Sequence, residues 1–341
     1  MSDGQFGLER SRSRPAQSIA WPGAAMYACC AAALQRLTAL LGWAALALAS
    51  LWWGLPAPLV CTAIWLLLRP LASAALAAGA SEAIPPWLSD PWGLCAHAFC
   101  HVHGVRIYDA ADAPPRLLLP GVLHFRGAVL MNHRSWGDFA VDPAQAHAVV
   151  IARTAAIAAT MLSGLLGVCA GRVLAISRSD TPCWAKTARE DLARRCRSHK
   201  RYLLYPEGTR RAFDANADEP VPLRVGGLKN VYESGDAALV VITVGKEKIM
   251  DERRGRVSFS SRLYRATSEP LHPSDHSTLD SFLSAVDDAW RDAWRRAYQL
   301  RHDHLEHEWS EAPLRREVRT APSESLTRCH SSEQLRPQPS C

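Results

Sequence analysis

The sequence predicts an α/β domain with a mainly parallel sheet flanked by helices, preceded by an amino-terminal membrane helix or helical hairpin. Three observations predict it. Short apolar runs rich in Val, Ile and Leu alternate with longer stretches of helical spacing, as in a sheet covered on both faces. Residues 37–68 contain no charged side chain at all. The 341 residues are enough for one sizeable core with additions.

Taken in order, residues 1–36 form a basic tail carrying Arg10, Arg12 and Arg14, and residues 37–80 form the membrane segment. Leu37–Leu55 gives nineteen uncharged residues, enough for one span, with Trp43, Trp52 and Trp53 suited to its interfaces. Pro56 and Pro58 break the helix. Leu59–Leu68 alone would reach only about half of a ~30 Å hydrocarbon core. A hairpin that dips in and returns is favoured over a single span, and it keeps the rest of the chain with the Arg-rich tail in the cytosol.

Residues 90–310 form the domain. A helix is expected from Trp87 to His103, where Cys95, His97, Cys100, His101 and His103 could ligate zinc, although packing against the membrane segment fits their spacing better. Strands are expected at Gly104–Tyr108, from Gly127 into Met131, at Val149–Ile151, Gly171–Arg178, Tyr202–Tyr205 and Ala237–Val244. Thr154–Ala170 is a second uncharged run, a borderline span or a core or interfacial helix. Ala185–Ser198 has helical spacing. A long amphipathic helix begins at Thr278, its buried stripe marked by Phe282, Val286, Trp290 and Trp294. Residues 311–341, rich in Ser, Pro and Arg, read as a disordered tail.

The net charge of +6 is not arranged in stripes with interleaved aromatics, which argues against nucleic acid and suits anionic lipid or a phosphate-bearing substrate. The ten cysteines are scattered, as reduced thiols would be.

The chemistry gathers at two strand ends. The first is Asn132-His133-Arg134-Ser135-Trp136-Gly137-Asp138. A histidine takes a proton from a hydroxyl near neutral pH if a carboxylate fixes its tautomer. Residues i and i+5 of a regular helix point about 140° apart. His133 and Asp138 can therefore meet only with His133 in a loop and Asp138 on the first turn of a following helix. The second is Tyr205-Pro206-Glu207-Gly208-Thr209-Arg210, where Gly208 permits close backbone approach, Thr209 offers a hydroxyl and Arg210 could hold a phosphate bidentately.

Together these motifs resemble the lysophosphatidate acyltransferase (1-acylglycerol-3-phosphate O-acyltransferase) family, with its lysocardiolipin and lysophosphatidylinositol relatives. Asn132–Asp138 matches the first block of that family and Gly171–Arg178 the second, which ends on an arginine. Tyr205–Arg210 matches the third, with Tyr where Phe is usual. Leu239–Val244 corresponds to the fourth but lacks its proline. The resemblance covers roughly residues 95–250. It implies a glycerol-phosphate acyltransferase-like fold. It further implies acyl-CoA as co-substrate, a lysophospholipid acceptor, a phospholipid membrane at the endoplasmic reticulum with the site facing the cytosol, and neither cofactor nor metal. His133 would be the general base and Asp138 its orienting group. Arg178 and Arg210 would hold the acceptor's phosphate, and Asn132, Glu207, Gly208 and Thr209 would shape the site. No Gly-x-Ser-x-Gly elbow is present, so a serine hydrolase is disfavoured. A silent lipid-binding protein is the reading from a different class.

Overall fold

The computed structural model describes residues 22–77, 85–110, 113–176, 199–210, 220–252 and 254–320. Arg178 and the helix expected at 185–198 lie outside these. Two long helices come first, α1 (Pro22–Gly54) and α2 (Pro56–Ala77), separated at Leu55, where Pro56 cannot continue the ladder. The first begins fifteen residues ahead of the expected membrane boundary at 37. Uncharged helix formers such as Ala24, Ala25, Met26 and Ala28 extend it back to Pro22.

A short 3₁₀ turn (Pro86–Ser89) and α3 (Pro91–Val102) replace the single helix expected from Trp87 to His103. Asp90 is extended and caps α3 by accepting the Gly93 N–H at 2.7 Å, while Pro91 supplies the first helical position. The domain continues with β1 (Arg106–Tyr108), β2 (Gly127–Met131), α4 (Asp138–Ala146) and β3 (Val149–Arg153). The uncharged run Thr154–Ala170 is neither a span nor one helix. It forms α5 (Thr154–Ala159) and α6 (Met161–Cys169), broken where Met161 adopts φ +51°. Then come β4 (Val173–Ile176), β5 (Arg201–Leu204), α7 (Val225–Ser234), β6 (Ala238–Val244), a small hairpin of β7 (Met250–Asp251) and β8 (Arg256–Val257), β9 (Arg262–Thr267) and α8 (Leu279–Thr320).

The main sheet has the order β1-β9-β6-β2-β5-β3-β4. The five strands from β6 to β4 are parallel, as expected. β9 runs antiparallel to β6, and β1 runs parallel to β9, so this edge is reversed. β9 was not expected, because Arg262 and Arg265 interrupt its apolar pattern. Arg265 is nonetheless buried, its guanidinium bonded to Asp109 at 2.6 and 2.9 Å and to the Leu117 carbonyl. On one face of the sheet α8 lays down Phe282, Val286, Trp290 and Trp294 against β6. This helix continues ten residues past the boundary expected at 310. Glu311, Leu314, Arg315, Arg316 and Glu317 are helix formers, and the Ser- and Pro-rich composition starts only beyond Thr320.

Both amino-terminal helices lean on α3. From α1, Leu46 joins the core of Ala96 and Phe99, and the Trp53 indole N–H donates to His103 Nε2 at 3.0 Å. From α2, Ala57 and Cys61 are buried, and the Trp65 indole N–H donates to the Leu88 carbonyl. The outer faces of both helices are apolar and exposed, with Leu67 reaching 77%. Within them Ala33–Ala74 is long and apolar enough to cross a membrane, at mean hydropathy 1.7.

β2 is the middle strand of the seven, and Gly127 fixes how it enters. Gly127 has φ +135°, and a Cβ there would strike the Ala237 carbonyl that receives the Ala128 N–H. Gly127→Ala is expected to destabilise the fold by on the order of 2 kcal/mol, through strain and displacement of β2 from β6. The check is the thermal unfolding midpoint of the detergent-purified full chain. An unchanged midpoint would contradict this account of β2.

Candidate active site

Three neighbouring parallel strands, β5, β2 and β6, end side by side, where open α/β sheets gather ligands. β2 is buried along its whole length and delivers Asn132. The Asn132 amide continues the sheet beyond its last backbone pair. It donates to the Thr243 carbonyl at 3.0 Å and accepts the Thr243 N–H at 2.9 Å. Asn132 is therefore a clamp between β2 and β6, placed at the site but not open to a substrate.

The chain then turns around a carboxylate. His133 lies in the loop and Asp138 in the first turn of α4, the junction that their spacing requires. His133 Nδ1 is 2.8 Å from Asp138 Oδ2. The same oxygen accepts the backbone N–H groups of Arg134 at 2.5 Å and Ser135 at 3.1 Å. An ionised carboxylate only accepts, so Nδ1 carries the proton and Nε2 the lone pair. No described residue bonds Nε2, and the His133 side chain is 12% exposed. The imidazole lies nearly parallel to the Tyr205 ring, with centroids 4.2 Å apart and an angle of 19°. Phe139 meets it edge-on at 5.9 Å.

Asp138 is fully buried. Burial alone would raise its value. Lys246, the His133 hydrogen bond and charge, and the Arg134 N–H outweigh that, and the carboxyl is held below its ordinary 3.8. Glu207, in the turn after β5, is also buried, and its Oε2 accepts the His133 backbone N–H at 2.9 Å. Burial raises its carboxyl, against the nearby Arg134 charge and this hydrogen bond. Gly208 sits at φ +71° with the Arg224 side chain packed where a Cβ would be. Thr209 is exposed. Arg210 is not presented as a free cation: it bonds Glu252 at 2.6 Å and stacks 4.3 Å over the Trp136 ring. The structure thus brings Asn132, His133, Asp138 and Glu207 together and sets Gly208, Thr209 and Arg210 on the adjoining turn.

Sequence reasoning missed the layer beneath. Lys246, one residue past Gly245 at the end of β6, is wholly buried. Its Nζ donates to Asp142 at 2.8 and 3.0 Å and to the Asn132 carbonyl, and lies 3.8 Å from Asp138. The available signal was Asp142 four residues after Asp138, on the same helical face. A lysine after a glycine at a strand end reads as solvated.

On the far side of Phe139 from the His133 ring lies an apolar cavity of about 240 Å³, which His133 itself does not line. It is walled by Trp53 and Gly54 of α1, Trp92 and Phe99 of α3, and Trp136 and Phe139 around the start of α4. The cysteines and histidines of α3 do not converge. Cys95 lines this cavity, His97 bonds the Gly93 carbonyl, and His103 joins Trp53 to the Ser258 carbonyl. Among the described residues no group of three such side chains could hold a metal.

No family model matches the sequence, and no curated protein does. Among solved structures the chain is similar to the 1-acyl-sn-glycerophosphate (LPA) acyltransferase PlsC from Thermotoga maritima. The identity is 12% over 70% of this chain and 94% of that one, with a TM-score of 0.41. A likeness at this level leaves the chemistry to be read from this chain's own residues.

Because the Asp138 carboxyl is lowered in the fold, its stabilisation is complete above 3.8 and is lost as pH falls through the folded value. Asp138→Asn is therefore expected to lose less stability than wild type between about pH 5 and about pH 2. Thermal midpoints across that range test it, and equal losses would contradict the assigned role of the carboxylate.

Proposed function

We propose that this chain is an acyltransferase that moves an acyl group from acyl-CoA to the free hydroxyl of a lysophospholipid. The acceptor proposed is 1-acylglycerol-3-phosphate, which gives phosphatidic acid. The observation that carries this reading is His133: a ring with a fixed tautomer and an Nε2 that no described residue bonds, meeting Phe139, which lines a cavity of mainly aromatic and apolar side chains.

In this mechanism Nε2 takes the proton of the acceptor hydroxyl as its oxygen attacks the thioester carbonyl carbon. Asp138 steadies the imidazolium that forms. The carbon–sulfur bond then breaks, and the departing thiolate takes the proton back from Nε2. Direct attack is favoured over an acyl-enzyme because no described serine, threonine or cysteine bonds Nε2. Ser135, the nearest hydroxyl in the loop, is held by the Lys246 carbonyl and Asp138.

The acyl chain would occupy the apolar cavity. The acceptor's phosphate would lie over the turn of Glu207, Gly208, Thr209 and Arg210, with Arg178 as a further cation in this proposal. To reach such a phosphate, Arg210 must exchange its contact with Glu252. The exposed apolar faces of α1 and α2 support action at a membrane surface, proposed as the cytosolic face of the endoplasmic reticulum. Lysocardiolipin and lysophosphatidylinositol are the alternative acceptors.

His133→Ala in membranes is expected to lower transfer from labelled acyl-CoA to lysophosphatidate by about 10²–10⁴-fold. Equal incorporation by the two proteins would make the assignment of His133 wrong, incorporation no higher than background by either would leave a silent lipid-binding protein as the better reading, and a panel of lyso-acceptors identifies the substrate. A second expectation concerns Ala159, which lines the cavity. Ala159→Phe is expected to slow transfer of long acyl chains more than medium ones, measured as the ratio of kcat/KM. An unchanged ratio would place the acyl chain elsewhere.

A further inference from the structure

We propose that Lys246, acting with Asp142 and Tyr205 beneath the imidazole, is a positioning residue that sets the pH range over which His133 can accept a proton. The proposal takes its consequence for rate from the acyl-transfer reading, but its electrostatic content stands apart from the substrate.

The network is closed off from bulk solvent. Lys246, Asp138 and Asp142 are each at zero exposure. Lys246 Nζ grips both oxygens of Asp142, at 3.0 and 2.8 Å. The Tyr205 hydroxyl donates to Asp142 at 3.1 Å and the Gln145 amide at 3.2 Å. Burial raises the Asp142 carboxyl to about 7, and the Lys246 charge and the hydrogen bonds from Lys246 and Tyr205 hold it down against that and against the charge of Asp138. Tyr205 carries the network to the catalytic ring, since its face lies 4.2 Å below that of His133. Lys246 also reaches the loop directly, through the Asn132 carbonyl and through Ser135, whose hydroxyl donates to the Lys246 carbonyl at 3.0 Å.

The charges explain why a lysine is placed there. Asp138 and Asp142 sit one helical turn apart, and without a cation the two buried carboxylates would repel. Together they would draw a proton onto the His133–Asp138 pair at a pH where the base must be neutral. Lys246 cancels one of these charges. The other groups that face the network are His133 and Arg134 in the loop, Glu207 after β5, the Cys100 thiol on α3, and Arg265 on β9, which reaches it through Gln145. Glu247 turns away to accept the Gly245 N–H. Lys246 is thus the cation in direct contact with both Asp138 and Asp142 among the described residues.

The sign follows from removing that cation: proton uptake by the pair becomes easier, and the midpoint for His133 rises. The test uses the full chain in detergent with isotope-labelled histidine rings, the His133 signal being identified by its loss in His133→Ala. In Lys246→Met the His133 midpoint is expected to rise by about one pH unit. A unit charge several ångströms away at an effective dielectric near 20 moves a midpoint by about two pH units, and proton uptake by Asp142, whose carboxyl burial already raises to about 7, takes back part of that. In Asp142→Asn/Lys246→Met, where both charges are gone, it is expected to return to within about half a unit of wild type. If Lys246→Met does not fold, the step from Asp142→Asn to the double variant isolates the same charge without a carboxyl at 142 to compensate, and is expected to raise the midpoint by about two pH units. A purely structural lysine would leave the midpoint unmoved in both comparisons, and that result overturns the proposal.

The acid limb of kcat/KM against pH is expected to shift with the midpoint. Its position does not depend on how much of the protein is folded. A midpoint that moves while no acyl transfer is found supports the charge network and removes the acyl-transfer reading. Transfer that needs His133 but keeps its acid limb in Lys246→Met does the reverse.

Discussion

A carboxylate sealed from water must have its charge answered by the protein, and at Asp138 that requirement shapes everything nearby. Its oxygens gather the His133 ring, two backbone N–H groups of the loop and, at longer range, Lys246. Satisfying one carboxylate therefore fixes three things together: the loop conformation, the tautomer of His133 and the register of α4 on the sheet. The loop cannot relax without exposing an unpaired charge, so the imidazole is held in one place. Asn132 secures the same loop from the other side by borrowing the hydrogen bonds of β6.

Much of this was legible in the residues. The continuous apolar runs located β2, β5 and β6, and the five-residue offset between His133 and Asp138 implied a loop leading into a helix. Failures came where polar residues are buried in compensated sets. Arg265 disguised β9, because its charge is matched by Asp109 and carbonyl groups that no local pattern reveals. Lys246 was invisible for the same reason, since its partners lie about a hundred residues away in sequence. Arg210 shows the converse: a motif can mark the right turn while the side chain already has a carboxylate and an aromatic face as partners. At the carboxy-terminal end, local helix propensity carried α8 past the boundary that composition suggested.

The sheet and the amino-terminal helices contribute differently. The strand ends supply rigid polar groups, held by a parallel sheet and by α8 packed behind it. α1 supplies apolar surface, and it does so on two sides: outward through side chains such as Leu40 and Leu48, inward through Trp53 and Gly54. His103 ties that helix to the domain, standing between the Trp53 indole and the Ser258 carbonyl with Phe259 stacked on its face.

The wall that α1 shares with the cavity bears on how this protein can be handled. A shortened form that starts after Gly54 to gain solubility would not be the same domain with an appendage removed. It would be a vessel with one side removed, open to water where Ser50, Trp53 and Gly54 now stand. Exposed apolar face and cavity wall are here one helix, so whatever reshapes the seat of α1 also reshapes the space that Phe139 shares with it.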